Sequence, residues 1–454
     1  MFLTNFRILF FILFFSVYAK AQKLPVLTIS KYGTSAVKGY FFLTANENLI
    51  LMDKDANIVY YKPLLLAKNF TLEKNGKMYF SDFSNLYLMD STFQIIDTFS
   101  CKNGVHSDMH DVIILSNNNV ILLGNEKAMV DVSNNYDWKK KWGRDTLKIS
   151  ASVIQEQDEH HNVIMEWHSK AYFPLIEADT FFVNRDPSPE AMHCNALDLD
   201  FDGNILLSSR NFNEIIKINR KDGSIIWQLG GKHNEFKFVN CPTPFYGQHN
   251  IRILRNGHLT LFDNGDYTPP HGARAMEFEI DEKNKIAKLE WSYMFDKDIT
   301  SRRQGNVQRL SDGNTLINLG GPSISCVWFV IVDSSGKKLF QVNGPDNGNK
   351  TILPKDFNPY RILNYSSLPF KLHRPVIDCF DSAGVNYLDA GAGYRSYKWN
   401  TSDTTRIIKA TKAGSYSVFV NYGDGGFISS EKLILSDSML PCSTKLKGNR
   451  NKEH

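Results

Sequence analysis

Residues 193–210 read HCNALDLDFDGNILLSSR. Between His193 and Arg210 two apolar runs flank the turn Asp202-Gly203, the pattern of two short strands joined by a hairpin whose turn needs a positive φ. The stretch recurs as QHNIRILRNGHLTLFDNG from Gln248, QGNVQRLSDGNTLINLGG from Gln304 and MHDVIILSNNNVILLGNE from Met109. Weaker copies begin near Asn69 (NFTLEKNGKMYFSDFSN) and near Gly39 (GYFFLTANENLILMDKD). Several copies run on into a second hairpin, as in Glu214 to Leu229 (EIIKINRKDGSIIWQL) and Ala275 to Trp291 (AMEFEIDEKNKIAKLEW). Four strands per unit, repeated six times without long helical periodicity, make an all-β chain. Each unit alone leaves both faces of its sheet bare, and a ring covers them. A six-bladed β-propeller over residues 22–370 is therefore expected; an open β-solenoid has shorter coils than these repeats.

Composition agrees with a large β core. Of 454 residues, 42% are hydrophobic and 13% aromatic, with 31 Phe and 19 Tyr. The net charge is only +4, from 52 basic and 48 acidic residues in scattered positions, which excludes the electrostatic footprint of a nucleic-acid binder. At the N-terminus, Arg7, an apolar run from Ile8 to Tyr18 and Ala19-Lys20-Ala21 form the pattern of a secretory signal, residues 1–21. That run is too short to span a bilayer, which takes about 20 apolar residues, and no later one is longer. The expectation is an exported protein, periplasmic or extracellular, with no membrane span. Six cysteines without a CxxC pair argue against a zinc site, and Cys379 and Cys442, bracketing the last segment, are candidates to pair.

Past Asn364 the repeat stops. Residues 375–436 show short alternating strands, with Tyr397-Lys398-Trp399 and AGSYSVFV from Ala413, as a small β-sandwich uses a buried Trp and a tyrosine corner. This segment resembles the immunoglobulin-like modules at the C-terminus of secreted Bacteroidetes proteins, which implies a role in surface attachment or sorting. Residues 437–454 are Lys/Asn-rich, aperiodic and expected to be disordered.

In a propeller the first strand of each blade lines the central channel. His110, His193 and His249 stand at the start of that strand in three copies, and Gly305 takes the place in a fourth. A lone histidine there is commonly a structural hydrogen-bonding residue, but recurrence brings three imidazoles to one channel. A metal centre lacks a further ligand in register. Transfer of an anionic group suits imidazoles combined with an arginine fork, for which Arg274 and Arg210 are candidates, each also readable as a plain ion pair. Tyr172, Phe173, Phe245 and Tyr246 are candidates to stack on an aromatic substrate. Asp198, Asp200, Asp202 and Gly203 begin like a calcium loop, but Ser209 stands where the bidentate Glu belongs, and a hairpin turn explains the motif better.

Taken in order, H-x-N-A-L-D, G-N-I-L-L-S-S-R, I-x-K-I-N-R-K-D-G-x-I-I-W-Q-L-G-G, Q-H-N, L-T-L-F-D-N-G, A-R-A-M-E-F-E-I-D and G-N-V-Q-R-L-S-D-G-N-T-L-I-N-L-G-G resemble the bacterial aryl sulfotransferases from about Met109 to Gln341. The resemblance implies an exported propeller enzyme moving a sulfuryl group from a small aromatic sulfate ester to a phenol, independent of the nucleotide sulfate donor and of any cofactor. It implies oxygen-binding and proton-handling roles for His193 and His249 and an anion fork at Arg274, with Tyr267 where relatives place an arginine. His110, Arg210, Tyr246 and Tyr267 are expected to bind substrate. In that family a channel histidine after a GG-S-I-like stretch is sulfated. Here Gly320-Gly321-Pro322-Ser323-Ile324-Ser325 puts Ser325 in its place. A hydroxyl needs a positioned base to attack. That departure leaves three routes open: His193 or His249 as nucleophile, direct transfer, or a catalytically silent propeller that only binds a ligand or partner. An unrelated hydrolase on the same fold is the remaining alternative.

Overall fold

The computed structural model describes residues 24, 27–32, 37–45, 47–181, 183, 188–265, 272–321, 326–344, 359–422 and 425–436. Residues 1–21, read above as a signal, Tyr267, Ser325, Cys442 and residues 437–454 lie outside the described residues. The architecture is all-β, with one seven-residue α-helix, Tyr136–Trp142, and two short 3-10 turns among the described residues. No helix among the described residues is long and apolar enough to cross a membrane.

Consecutive antiparallel strands form small sheets in chain order. Lys68–Leu72, Met78–Ser81, Leu86–Met89 and Ile95–Phe99 make one; His106–Ile114, Val120–Asp131, Thr146–Gln157 and Val163–His168 the next. The third holds Cys194–Leu199, Ile205–Ser209, Glu214–Ile218 and Ile225–Gly230, and the fourth begins with His249–Ile253, Leu259–Asp263 and Arg274–Asp281. Asn306–Arg309 opens the fifth, whose outer edge is the N-terminal strand Thr28–Lys31, paired to Lys338–Asn343.

Each strand buries alternate side chains against opposite neighbours, because successive Cβ atoms point to opposite faces. Ile121 joins a core with Leu197 and Ile205, while adjacent Leu122 packs with Leu86 and Phe99. Leu261 faces Trp227, and Phe262 faces Val330. Phe41 meets Phe329, and Phe42 meets Phe70. These cores link every sheet to the next and close a propeller-like ring. At its centre the amides of Asn69, Asn195 and Asn306 each donate to a carbonyl in or immediately before the next innermost strand, at His110, Gln248 and Ile362.

One repeat sits differently from its sequence reading. The Gly39 copy aligns with first and second strands, yet Tyr40–Ala45 and Asn48–Asp53 are second and third; the innermost strand there is Ile362–Tyr365, from the far end of the chain. Ring closure thus joins both ends of the repeat region in two sheets.

The C-terminal strands do not stand apart from the ring. Gly426–Ser429 pairs with Ile58–Pro63, matching Phe427 to Tyr61 and Ile428 to Tyr60, and Val418–Tyr422 and Tyr397–Trp399 prolong the same sheet. Trp399, Val418 and Leu388 share one core with Tyr60 and Phe93. Tyr416 Oη donates to Lys412 O. Cys379 is disulfide-bonded, and Cys101, Cys194, Cys241 and Cys326 are free thiols.

The calcium-like loop has a clear occupant. The Lys217 ammonium, 2% exposed, reaches Asp200 at 2.6 Å, Asp202 at 2.8 Å and Glu282 at 2.6 Å. Burial opposes its charge, but these carboxylates overcome it and hold the lysine protonated. Lys217→Met is expected to lower stability by about 1–3 kcal/mol, the loss being limited because Asp202 and Glu282 are open to solvent. A urea titration measures it.

Candidate active site

Three imidazoles from different sheets do converge. The rings of His110 and His193 lie 4.6 Å apart at 73°, and those of His193 and His249 lie 6.5 Å apart. The positions are not strictly equivalent: His193 stands ten residues before its turn glycine, Gly203, whereas His249 stands eight before Gly257. A φ of +49° at His193 and a bulge between Cys194 and Ala196 accommodate the offset.

Each imidazole is held at Nδ1. His110 donates to Asp108 Oδ1 at 2.5 Å, and Asp108 is itself fixed by Asn125 Nδ2 at 2.8 Å. His193 donates to Glu190 Oε2 at 2.7 Å. His249 donates to Asn264 Oδ1 at 2.7 Å and Gly247 O at 3.1 Å. A carboxylate or carbonyl at Nδ1 fixes the proton there, so when neutral all three present a lone pair at Nε2.

Their electrostatics differ. Burial works against charge on His110, but the carboxylate of Asp108 outweighs it and raises the pKa. Asp108 is held below the usual carboxylate range: burial is overcome by His110. Burial pushes His249 well below 6.5, and the positive charge of Arg210 pushes it further. One buried ring thus favours the imidazolium and another the neutral base, the separation acid–base chemistry needs.

These shifts have opposite signs in stability. His110 contributes stability that is full below 6.5 and lost as pH rises through its raised folded value. His249, charging more readily in the unfolded chain, loses its contribution as pH falls below 6.5. His249→Gln is expected to shrink the stability lost between pH 7 and pH 5, as read from urea midpoints at each pH.

His110 and His193 open on a cavity of about 560 Å³ that also touches Arg210, Arg302 and Arg303. Arg210 Nη2 donates to Arg302 O, and Gly321 bonds both neighbours, accepting from Arg302 N and donating to Arg303 O. The last strand-end glycines thereby present two arginines beside the histidines. Three guanidinium groups near two imidazoles suit a tetrahedral oxyanion.

Several candidates lie elsewhere. Arg274 is a brace: its Nε and Nη2 bond Asp263 at 2.9 and 2.5 Å, and Nη2 also reaches the carbonyls of Thr243 and Pro244. It is absent from the cavity wall, where Arg210, Arg302 and Arg303 stand instead. Tyr246 lines a separate cleft with Phe212 and Phe238. Phe173 and Phe245 are core, and Tyr172 lies on Trp167. The sequence reading missed Asp108, Glu190, Arg302 and Arg303. Asp108 was signalled by its place two residues before His110 on one strand face; Arg302-Arg303 looks like solvated loop charge.

Beneath the histidines, Asp111 is fully buried. It receives Arg361 Nη1 at 2.8 Å, Arg252 Nη2 at 2.9 Å and the Leu197 amide at 3.0 Å. It therefore ties the strands of His110, His193 and His249 to the closing strand.

Among solved structures, a protein of unknown function from Bacteroides caccae matches at 13% identity over 72% of this chain and 98% of its own, with a TM-score of 0.45. Virginiamycin B lyase from Staphylococcus aureus matches at 11% identity over 90% of this chain and all of its own, TM-score 0.35. The Swd1 β-propeller domain of Myceliophteria thermophila matches at 7% over 80% and 96%, TM-score 0.36. No curated protein matches the chain. The family model described as Arylsulfotransferase (ASST) matches residues 27–351, most of the chain, and the chain belongs to the arylsulfotransferase family.

Proposed function

We propose that the protein transfers a sulfuryl group from a phenolic sulfate ester to an acceptor hydroxyl, with His193 as nucleophile. The observation that carries this is the His193 ring, oriented by Glu190 and open to a cavity walled by Arg210, Arg302 and Arg303. His193 is the best exposed of the three histidines, its side chain 26% accessible, while His249 is buried. Nε2 of neutral His193 attacks sulfur and the S–O(aryl) bond breaks. Protonated His110 gives its proton to the departing phenolate. The acceptor hydroxyl then returns a proton to His110 as its oxygen takes the sulfuryl group from nitrogen. Guanidinium groups stabilise the sulfuryl oxygens throughout.

The same reading takes the ring over 22–370 as six blades and the strands of 375–436, with buried Trp399 and the Tyr416 corner, as an immunoglobulin-like sandwich. Residues 1–21 are read as an export signal, and the sandwich as the means of attachment or sorting. The test is 4-nitrophenol release from 4-nitrophenyl sulfate with phenol as acceptor, with mass spectrometry of acid-quenched protein. The expected result is one SO3 group on the peptide containing His193. No turnover above a His193→Ala control makes the protein a silent, ligand-binding propeller.

A further inference from the structure

The cavity beside the histidines carries more positive charge than the transferred group needs. Its described lining holds two carboxylates, Asp108 and Glu190, and each is spent on an imidazole. Against them stand Lys127, Arg210, Arg302 and Arg303. A sulfate monoester brings a single negative charge. Among the described residues, the ammonium of Lys127 and the guanidinium of Arg302 make no hydrogen bond or ion pair, and both residues are exposed.

These cations fall into two groups. The arginines are joined: Arg210 Nη2 donates to Arg302 O, and Gly321 bonds the backbone of Arg302 and Arg303. Lys127 stands apart from them, across the wall. Asn211, next to Arg210, donates Nδ2 to Glu190 O at 2.9 Å. Glu190 bridges to Ser150, and Ser150 pairs with Lys127 in the hairpin of Val120–Asp131 and Thr146–Gln157. Residues opposite one another on neighbouring strands share a face, so Glu190, Ser150 and Lys127 turn toward the same cavity, which each of them lines. Two strand spacings put the Lys127 backbone about 10 Å from that of Glu190. The arginines therefore serve the sulfur-bearing end, while Lys127, on its flexible stem, can meet a charge at the other end.

We infer that Lys127 selects substrates whose aryl group carries a second anionic substituent, on the side away from the reacting oxygen. This rests on the sulfuryl-transfer reading above. An ammonium that faces no carboxylate gains most from an anion that arrives with the substrate, and a cleft lined by one sign of charge concentrates such ligands. The bonds are those of the transfer itself. The donor's S–O(aryl) bond breaks, the sulfuryl group passes through Nε2 of His193, and a new S–O(aryl) bond forms as the acceptor hydroxyl gives its proton to His110. The second anion takes no part in these steps; it orients the ring.

The test compares kcat/KM for acceptors of nearly the same shape, 4-hydroxyphenylacetate, its neutral amide and tyramine, with 4-nitrophenyl sulfate as donor. The anion is expected to exceed the amide about fivefold, the scale of a partly exposed ion pair, and tyramine to fall below both. Lys127→Gln should abolish the preference for the anion. Lys148→Gln removes the same charge from the same face of the hairpin, at a residue that does not line the cavity, and should keep the preference. No preference in the wild type, a preference that survives Lys127→Gln, or an equal loss in both variants overturns the inference and leaves sulfuryl transfer standing. Where no acceptor turns over, the transfer reading itself fails, and calorimetric titration of the full chain with 4-hydroxyphenylacetate and its amide decides the site. Tighter binding of the anion that Lys127→Gln abolishes sustains it, and equal or absent binding overturns it.

Discussion

A His193→Ala protein is expected to lose at least about 10³-fold in kcat for sulfuryl transfer while folding normally. The side chain is partly exposed and sits at the cavity wall, so its removal opens no sealed void. The loss follows from its assigned role: without Nε2 there is no covalent acceptor, and remaining turnover must come from anion binding and His110 alone. Positioned proton transfer by itself is worth about 10²–10⁴-fold, which sets the scale. Steady-state kinetics on the purified variant gives the result directly. A KM increase at unchanged kcat would reassign His193 to ground-state binding. Glu190→Gln separates orientation from chemistry, because the amide preserves shape but no longer stabilises the imidazolium; an intermediate loss is expected.

Asp111→Ala should have the largest effect on stability. Asp111 is wholly buried, Arg361 is 3% exposed, and the two bond at 2.8 Å, with Arg252 completing the triad. Removing the carboxylate leaves a buried guanidinium without a counter-charge, at a cost of about 3–5 kcal/mol. The measurement is a urea midpoint shift at unchanged m-value. A double-mutant cycle with Arg361→Met then isolates the pair, since the doubly substituted protein should recover part of the loss. A shift below about 1 kcal/mol would mean that solvent already screens the triad. Activity is expected to fall as well, because the same carboxylate aligns Leu197 and Arg252 on the strand that follows His193 and the strand that opens with His249.

The chemistry of the site depends on partners that repeat analysis does not reveal. The three channel histidines were legible because each precedes the apolar run of a recurring hairpin, although only His249 opens its strand: His110 is the fifth residue of His106–Ile114, and His193 directly precedes Cys194–Leu199. Their carboxylates were less so: Asp108 shares a strand face with His110, two residues on, but Glu190 belongs to an entry segment, where spacing varies between copies. The arginines were misjudged for a related reason. Arg274 opens a strand beside the DNG motif and looks available, but it is paired across the sheet with Asp263. Arg302 and Arg303 look like solvated charge until Gly321 folds against them.

By itself, the sequence determined the all-β class, the hairpin turns and the histidines near the starts of the innermost strands, since these depend on local periodicity and on where Gly and Asn permit positive φ. The tertiary structure alone decided that Ile362–Tyr365 completes the sheet of Tyr40–Ala45, that the C-terminal strands extend it, that Asp111 joins the strands around it, and which arginines share a cavity with His110 and His193. Those are contacts between residues up to hundreds of positions apart. They exist only once the ring has closed, because closure rather than local preference sets which strand ends meet at the axis.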